Sequence, residues 1–315
     1  MNRMLPGTRA LRTFEAAGRH LNFTRAAEKV GLTPAAVSHQ IKDIEDQLGV
    51  VLFTRTSRSI RLTPAGAVLF EATAEALDTL HRAAGRARRM ARGSAQLRVS
   101  LGARFATNWL LPRLAQFRAA NPALDLTFDI TDQIRDFEAD DIDVAIRFGT
   151  GHHMQARSDR LFDTVIVAVC SPKLLEADPR LEQPRDLVRH TLCYRDWKTG
   201  DMVWPNWRMW MAAAGIDDFD DSRCVAFSDT SQVVQAVAEA GAVGLADLAM
   251  IAGDLAQGRL VRLFDIGVEV TRGATYHLVY PDNLAQDPRI LAFRAWMLAQ
   301  AGEAGELPAG SGSPV

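Results

Sequence analysis

Ser38, His39 and Lys42 bring a hydroxyl, an imidazole and an ammonium together in the segment NFTRAAEKVGLTPAAVSHQIK, residues 22–42. At helical spacing Val37, Ile41 and Ile44 share one face, which leaves Ala35, Ser38, His39 and Lys42 on the other. Short polar and basic side chains near a helix N-terminus suit base edges in a major groove and the phosphates beside them. Pro34 and Ala35 add apolar contact to a thymine methyl. Thr24 and Arg25 open the preceding helix and are placed for phosphate. Arg55, Arg58 and Arg61 belong to a charged hairpin whose guanidiniums suit phosphates, which position a protein on a duplex without reading its sequence. The competing readings are a solvated helix face and an ordinary charged hairpin.

The elements that must position these groups are legible. Residues 8–48 read as three short helices, with apolar spacing at Leu11, Phe14, Ala17 and Leu21, then at Ala26, Ala27 and Val30, then at Val37, Ile41, Ile44 and Leu48. Ala27, Gly31, Val37 and Ile41 have the spacing of a helix-turn-helix: a small residue for close approach, a glycine for the turn, and branched anchors on the second helix. Thr33-Pro34 starts that second helix and Gly49 ends it. Val50–Phe53 and Ser59–Leu62 form a hairpin, and Thr63-Pro64 starts a long helix reaching about Met90. Along it Leu69, Thr73, Ala76, Leu80, Ala83, Ala87 and Met90 alternate by four and three, a seam that wants a partner helix. Packing of the helix on its own domain is the alternative.

After Gly93 the texture changes to alternation of strands (Leu97–Leu101, Leu124–Ile130, Ile142–Phe148, Val165–Cys170) with helices (Trp109–Ala120, Trp207–Ala214, Gln232–Ala240, Arg289–Ala301). This pattern predicts an α/β domain with mainly parallel sheets. The tail from Gly302 is rich in Gly, Pro, Ala and Ser and reads as flexible. Trp197, Trp204, Trp207 and Trp210 read as packing for a small subdomain.

Charge is divided along the 315 residues. Residues 1–92 hold 15 basic and 8 acidic side chains, a net of +7, whereas the whole chain is −2. A polyanion partner for the first segment alone follows. With 48% hydrophobic and 23% charged residues the chain is neither fibrous nor mainly disordered. It has no apolar run of about 18 residues and no apolar signal core at its start, so no membrane and a cytoplasmic location are expected. Cys170, Cys193 and Cys224 are too few and too far apart for a disulfide framework. There is no G-x-S-x-G, Walker, H-E-x-x-H or G-x-G-x-x-G pattern, so no enzyme and no cofactor are expected. His152-His153 cannot share a helix face and lacks Cys or acidic partners at matching spacing; no metal is expected. A solute-binding protein or an enzyme using the α/β domain remains the alternative.

Residues 10–66 as a block resemble the winged helix-turn-helix of the LysR-type transcriptional regulators. The resemblance is carried by Phe14, Ala26-Ala27, Leu32-Thr33, Ala36-Val37-Ser38, Ile41, Leu48-Gly49, Leu52-Phe53, Arg55 and Leu62-Thr63-Pro64-Ala65-Gly66. HLNFTRAAE, VSHQIKDIEDQLG, DDIDVAIRFGTG and CSPKLL are similar to the branch that includes the glycine-cleavage-system activator and the β-lactamase-induction regulator. The resemblance implies an N-terminal all-α winged helix-turn-helix (1–63), a linker and dimerisation helix (64–92), and an α/β effector domain like a periplasmic binding protein (93–302), followed by a tail (303–315). The effector domain would have two subdomains, about 93–168 plus 269–302 and about 169–268. The partners implied are a double-stranded DNA operator, a second copy in a homodimer or homotetramer, a small-molecule effector, and RNA polymerase if the protein activates.

Such an effector sits between subdomains, near strand ends and helix N-termini. The expected contacts are Ser100, Arg104, Phe105, Arg147, Phe148, Gly149, Thr230 and Ser231, with Arg195–Trp197 as a further cleft segment. Arg104 stands where relatives in this branch tend to carry serine or threonine. Its planar fork near a helix N-terminus predicts an anionic effector, most simply a small carboxylate such as an amino or organic acid. The alternative is an Arg104 that points to solvent or pairs with a surface carboxylate.

Overall fold

The computed structural model describes residues 5–55, 59–93, 95–152, 156–177, 181–199, 202–270 and 273–305. Arg58, His153 and most of the expected tail (306–315) lie outside them. The chain divides into two compact units, one of residues up to Ala91 with Glu138–Asp141 and one of the remainder.

In the first unit α1 (Thr8–His20), α2 (Phe23–Val30) and α3 (Pro34–Leu48) enclose Phe14, Ala17, Ala27, Val37, Ile41 and Ile44, all at most 1% exposed. The Asn22 side chain accepts from the Thr24 and Arg25 backbone N–H groups and starts α2. The Thr33 hydroxyl accepts from the Ala36 N–H, and Pro34 takes the first turn of α3, where an N–H has no helical partner. Gly31 closes α2 at φ 69°, a left-handed conformation that costs glycine little. β1 (Phe53–Arg55) pairs antiparallel with β2 (Ile60–Leu62). α4 (Pro64–Ala91) follows, and its Gly66 lies so close to the Leu52 carbonyl that a Cβ would meet the oxygen at 2.1 Å.

The predicted seam on α4 separates into two parts. Thr73 is buried, and Leu69 packs with Phe70 against the first unit's own core. Ala76, Leu80, Ala87 and Met90 remain exposed on the helix surface.

The second unit begins with β3 (Gln96–Leu101). A helical run of α5 (Ala103–Phe105), a π-helical turn (Ala106–Leu110) and α6 (Leu111–Ala120) comes next. Then follow β4 (Asp125–Ile130), β5 (Val144–Gly149), β6 (Ala156–Phe162), β7 (Val165–Cys170), α7 (Pro172–Ala177), β8 (Leu192–Arg195), β9 (Lys198–Thr199), β10 (Met202–Val203) and α8 (Trp207–Ala213). The remainder is β11 (Val225–Phe227), α9 (Thr230–Ala240), β12 (Val243–Asp247), α10 (Ala252–Ala256), β13 (Val261–Glu269), β14 (Thr275–Pro281) and α11 (Pro288–Gly305).

Two five-stranded sheets result, in the orders β4-β3-β5-β14-β6 and β11-β8-β12-β7-β13. They are not mainly parallel, as expected from the sequence, but mixed. β3 runs parallel to β4 and β5, and β8 parallel to β11 and β12, whereas β14 and β7 run antiparallel to both of their neighbours. The reason is the double crossing. The chain leaves the first sheet from β6 into β7 and returns from β13 into β14, so the outgoing and returning strands lie side by side in opposite senses. The crossing also corrects the expected subdomain limits. β7 belongs wholly to the second sheet, so the first lobe ends before Val165 rather than near residue 168. α11 continues to Gly305, past the expected start of the tail at 303.

Candidate functional site

On α3 the structure gathers Ala35, Ser38, His39 and Lys42 along a shallow depression of about 820 Å³ that continues over Glu45, Asp46 and Gly49–Val51. Pro34, Ala35, His39 and Lys42 are exposed and Ser38 is half-buried. The opposite face, Val37, Ile41 and Ile44, is in the core. The His39 ring nitrogen Nδ1 lies 2.9 Å from an Asp43 carboxylate oxygen, one helical turn away. That contact orients the imidazole along the helix and leaves Nε2 outward. Thr24 and Arg25 are exposed on the first turn of α2. Arg61 is exposed on β2 opposite Thr54, whose hydroxyl donates to the Arg61 carbonyl, and the Arg55 backbone pairs with Ile60.

Glu45 was not among the residues expected to matter. Its Oε1 accepts from the backbone N–H groups of both Leu52 (2.8 Å) and Phe53 (3.1 Å), fixing the hairpin to α3. In the sequence it is one acidic residue among Asp43, Glu45 and Asp46, and only the turn after Gly49 brings the strand back over it. Glu45→Ala leaves two N–H groups without an acceptor. It is expected to cost the first unit about 2 kcal/mol, measured by urea unfolding without DNA, with Glu45→Gln restoring much of it.

In the second unit the expected effector contacts lie at the carboxyl ends of the parallel strands, the place where ligands meet open α/β sheets. From the first sheet come Arg104 after β3 and Arg147 and Phe148 at the end of β5. From the second come Arg195 ending β8 and Thr230 after β11, and Asp247, which was not among the expected contacts, ends β12. Phe148 packs across the cleft on Trp197 (5.9 Å) and Trp204 (5.6 Å) and on Tyr276 of its own sheet (5.1 Å). These two indoles therefore do more than pack a small subdomain. Trp207 and Trp210 are buried in the core beneath the second sheet.

Several expected contacts are placed differently. Arg104 does not extend a free fork: its Nη2 donates to Asp247 Oδ2 at 2.7 Å, across the two lobes, with both side chains buried. Asp247 Oδ1 also accepts from the Ala249 N–H. Burial pushes the Asp247 carboxyl above the usual range, and the Arg104 charge opposes that shift. Phe105 is 1% exposed and packed with Trp109 and Tyr276, so it is a core ring. Ser100 is fully buried and accepts from Arg147 Nη2 at 2.8 Å. Arg147 also donates to the Gln133 carbonyl, bracing the loop after β4, and burial lowers its basicity. Gly149 ends β5. Ser231 is exposed and bound through its N–H and hydroxyl to Asp229, the cap of α9.

Sequence reasoning named the segment of Arg195 but not the residue. Its guanidinium lies over Trp204 (4.8 Å) and Trp197 (5.1 Å), and the Arg104 guanidinium also lies over Trp204 (4.9 Å). Burial, and then the nearby Arg104 charge, lower the basicity of Arg195. Arg104 Nε and Nη1, Arg195 Nε, Trp204 Nε1 and Thr230 Oγ1 are buried without hydrogen-bond partners. Among the described residues no cluster of three or more His, Cys, Asp or Glu is placed to hold a metal ion, and no helix is long and apolar enough to cross a membrane.

A helix-turn-helix with a hairpin beside it, joined by a long helix to an α/β unit with a two-lobed cleft, defines a DNA-binding regulator that carries its own sensor domain. Residues 8–67 match the bacterial regulatory helix-turn-helix model of the lysR family, and residues 91–302 match the LysR substrate-binding domain. The chain belongs to the LysR family of transcriptional regulators. It is 40% identical over 302 residues to the glycine cleavage system transcriptional activator of Escherichia coli, covering 96% of each chain. It is 36% identical over 295 residues to the transcriptional activator AmpR of Pseudomonas aeruginosa, covering 93% of this chain and 95% of that one. The effector domain of that AmpR aligns with a TM-score of 0.53 at 30% identity, over 67% of this chain and 97% of the other. CrgA of Neisseria meningitidis shares the fold over 94% of this chain and 99% of its own, with a TM-score of 0.52 at 21% identity.

Proposed function

We propose that this regulator reads its operator through Ser38, His39 and Lys42 in the major groove, with Pro34 and Ala35 beside them. Thr24, Arg25 and the hairpin arginines Arg55, Arg58 and Arg61 hold the phosphates. The observation that carries this reading is the exposed face of α3 on a segment of net charge +7. A second copy pairs along the exposed part of α4 and supplies a second recognition helix, and RNA polymerase is a further partner where the protein activates. The cleft of the second unit takes a small anionic effector, a reading supported by its buried N–H and hydroxyl groups that lack acceptors.

Titration of DNA binding against salt tests the sorting of contacts. Affinity falls with salt because basic residues displace condensed counterions. Arg61→Ala is expected to weaken binding to all sequences alike and to lower the salt slope by about one. His39→Ala instead relaxes sequence preference, at about 1–3 kcal/mol on the preferred site. Identical behaviour of the two variants would show the sorting to be wrong.

A further inference from the structure

Among the described residues, the buried side-chain nitrogens and oxygens around the cleft that lack partners are Arg195 Nε, Trp204 Nε1, Thr230 Oγ1, and Nε and Nη1 of Arg104, four N–H donors and a hydroxyl. None of these side-chain atoms is an amide or carboxylate oxygen. A site so composed is completed by a group that only accepts, and an ionised carboxylate is such a group.

The two arginines are not equivalent. Arg104 already faces a carboxylate oxygen of Asp247 at 2.7 Å. Arg195 makes no ion pair among the described residues, although it is half-buried on two indoles and its charge is disfavoured by burial and by Arg104. The parallel pairing of β8 with β11 sets Arg195 opposite Phe227, three residues before Thr230. The side chain of Thr230, 1% exposed, therefore comes to the same sheet edge, at the first turn of α9, whose Ser231 N–H is already taken by the Asp229 carboxylate.

We infer that the anionic group of the effector is received by Arg195, with the Thr230 hydroxyl and the Trp204 indole N–H as its further donors, and that Arg104 bridges the lobes to Asp247 instead. The ligand group is a singly charged carboxylate. Asp229 and Asp247 stand at the same sheet edge, and a doubly charged phosphate there meets two carboxylates against one uncommitted guanidinium. Arg195 thus sets specificity for charge and planarity, its fork matching a carboxylate with two parallel hydrogen bonds.

The inference rests on the anionic-effector reading, and its test separates the two. Full-length wild type, Arg195→Gln and Arg195→Lys are titrated with acetate, benzoate, succinate and inorganic phosphate. Tryptophan fluorescence and thermal shift are followed, since Trp197 and Trp204 lie beside the guanidinium. Saturable binding of a carboxylate to wild type is expected, weakened about tenfold to a hundredfold in Arg195→Gln. Arg195→Lys, which keeps the charge without the fork, is expected to fall between them, and it carries the test if the glutamine variant does not fold. Equal carboxylate affinity in wild type and the variants overturns the assignment of Arg195 and leaves the anionic reading standing. Phosphate binding tighter than every carboxylate overturns the ligand class. No saturable binding of any of these anions to wild type overturns the anionic reading and this inference together.

Discussion

Asp247→Ala is expected to destabilise the second unit by about 3–5 kcal/mol, because it leaves the Arg104 cation buried without its counter-charge. The Arg104 side chain is 8% exposed and that of Asp247 fully buried, so water does not replace the lost carboxylate. The Ala249 N–H loses its acceptor as well. Thermal unfolding of the full chain should show the transition of this unit falling by roughly 10 °C. The double variant Arg104→Met with Asp247→Leu removes both charges and should recover most of the loss, since a buried pair contributes little beyond an apolar pair of similar size. A single variant within about 1 kcal/mol of wild type would mean that the pair does not hold the two lobes together.

Leu80→Asp should abolish pairing of two copies and lower operator affinity by about 10²–10⁴, the gain that a second linked recognition helix supplies. Leu80 is 56% exposed on α4, and Met90 is 87% exposed further along the same helix. A carboxylate at residue 80 is solvated in a single copy and desolvated in a seam, so the variant should fold normally and fail only in association. Sedimentation with matched binding to a full operator and to a half-site measures both effects. Unchanged sedimentation would remove α4 as the pairing surface.

The first unit was legible because its signals are local. Thr33-Pro34, Gly31 and the spacing Val37, Ile41 and Ile44 each act within a few residues, and the observed caps use those same atoms. The contact of Glu45 with Leu52 and Phe53 was not legible, since an acidic residue that accepts from a returning strand looks like its solvated neighbours. In the second unit β3, β4, β5 and β7 were found by their apolar runs, whereas the short parallel strands β8, β11 and β12 of the second sheet, and β14, were not. The antiparallel sense of β7 was not legible either, because no local pattern records that a chain has crossed to another sheet and back. Arg104 was legible as a charge near a helix start. Its partner lies 143 residues away, at the end of a strand whose neighbours depend on that crossing.

The double crossing also orders the events of synthesis. β14 lies between β5 and β6 in the first sheet, so that sheet stays divided until residues 275–281 have been made. The second sheet has all five strands once Glu269 is made. On the ribosome, therefore, the inserted lobe can close before the lobe that encloses it in sequence. β5 and β6 wait meanwhile with open edges, the condition under which strands pair with the wrong chain. A nascent chain cut short after residue 269 would accordingly carry a finished second lobe and an unfinished first one, so damage at the far C-terminus would fall on a sheet that begins at residue 96.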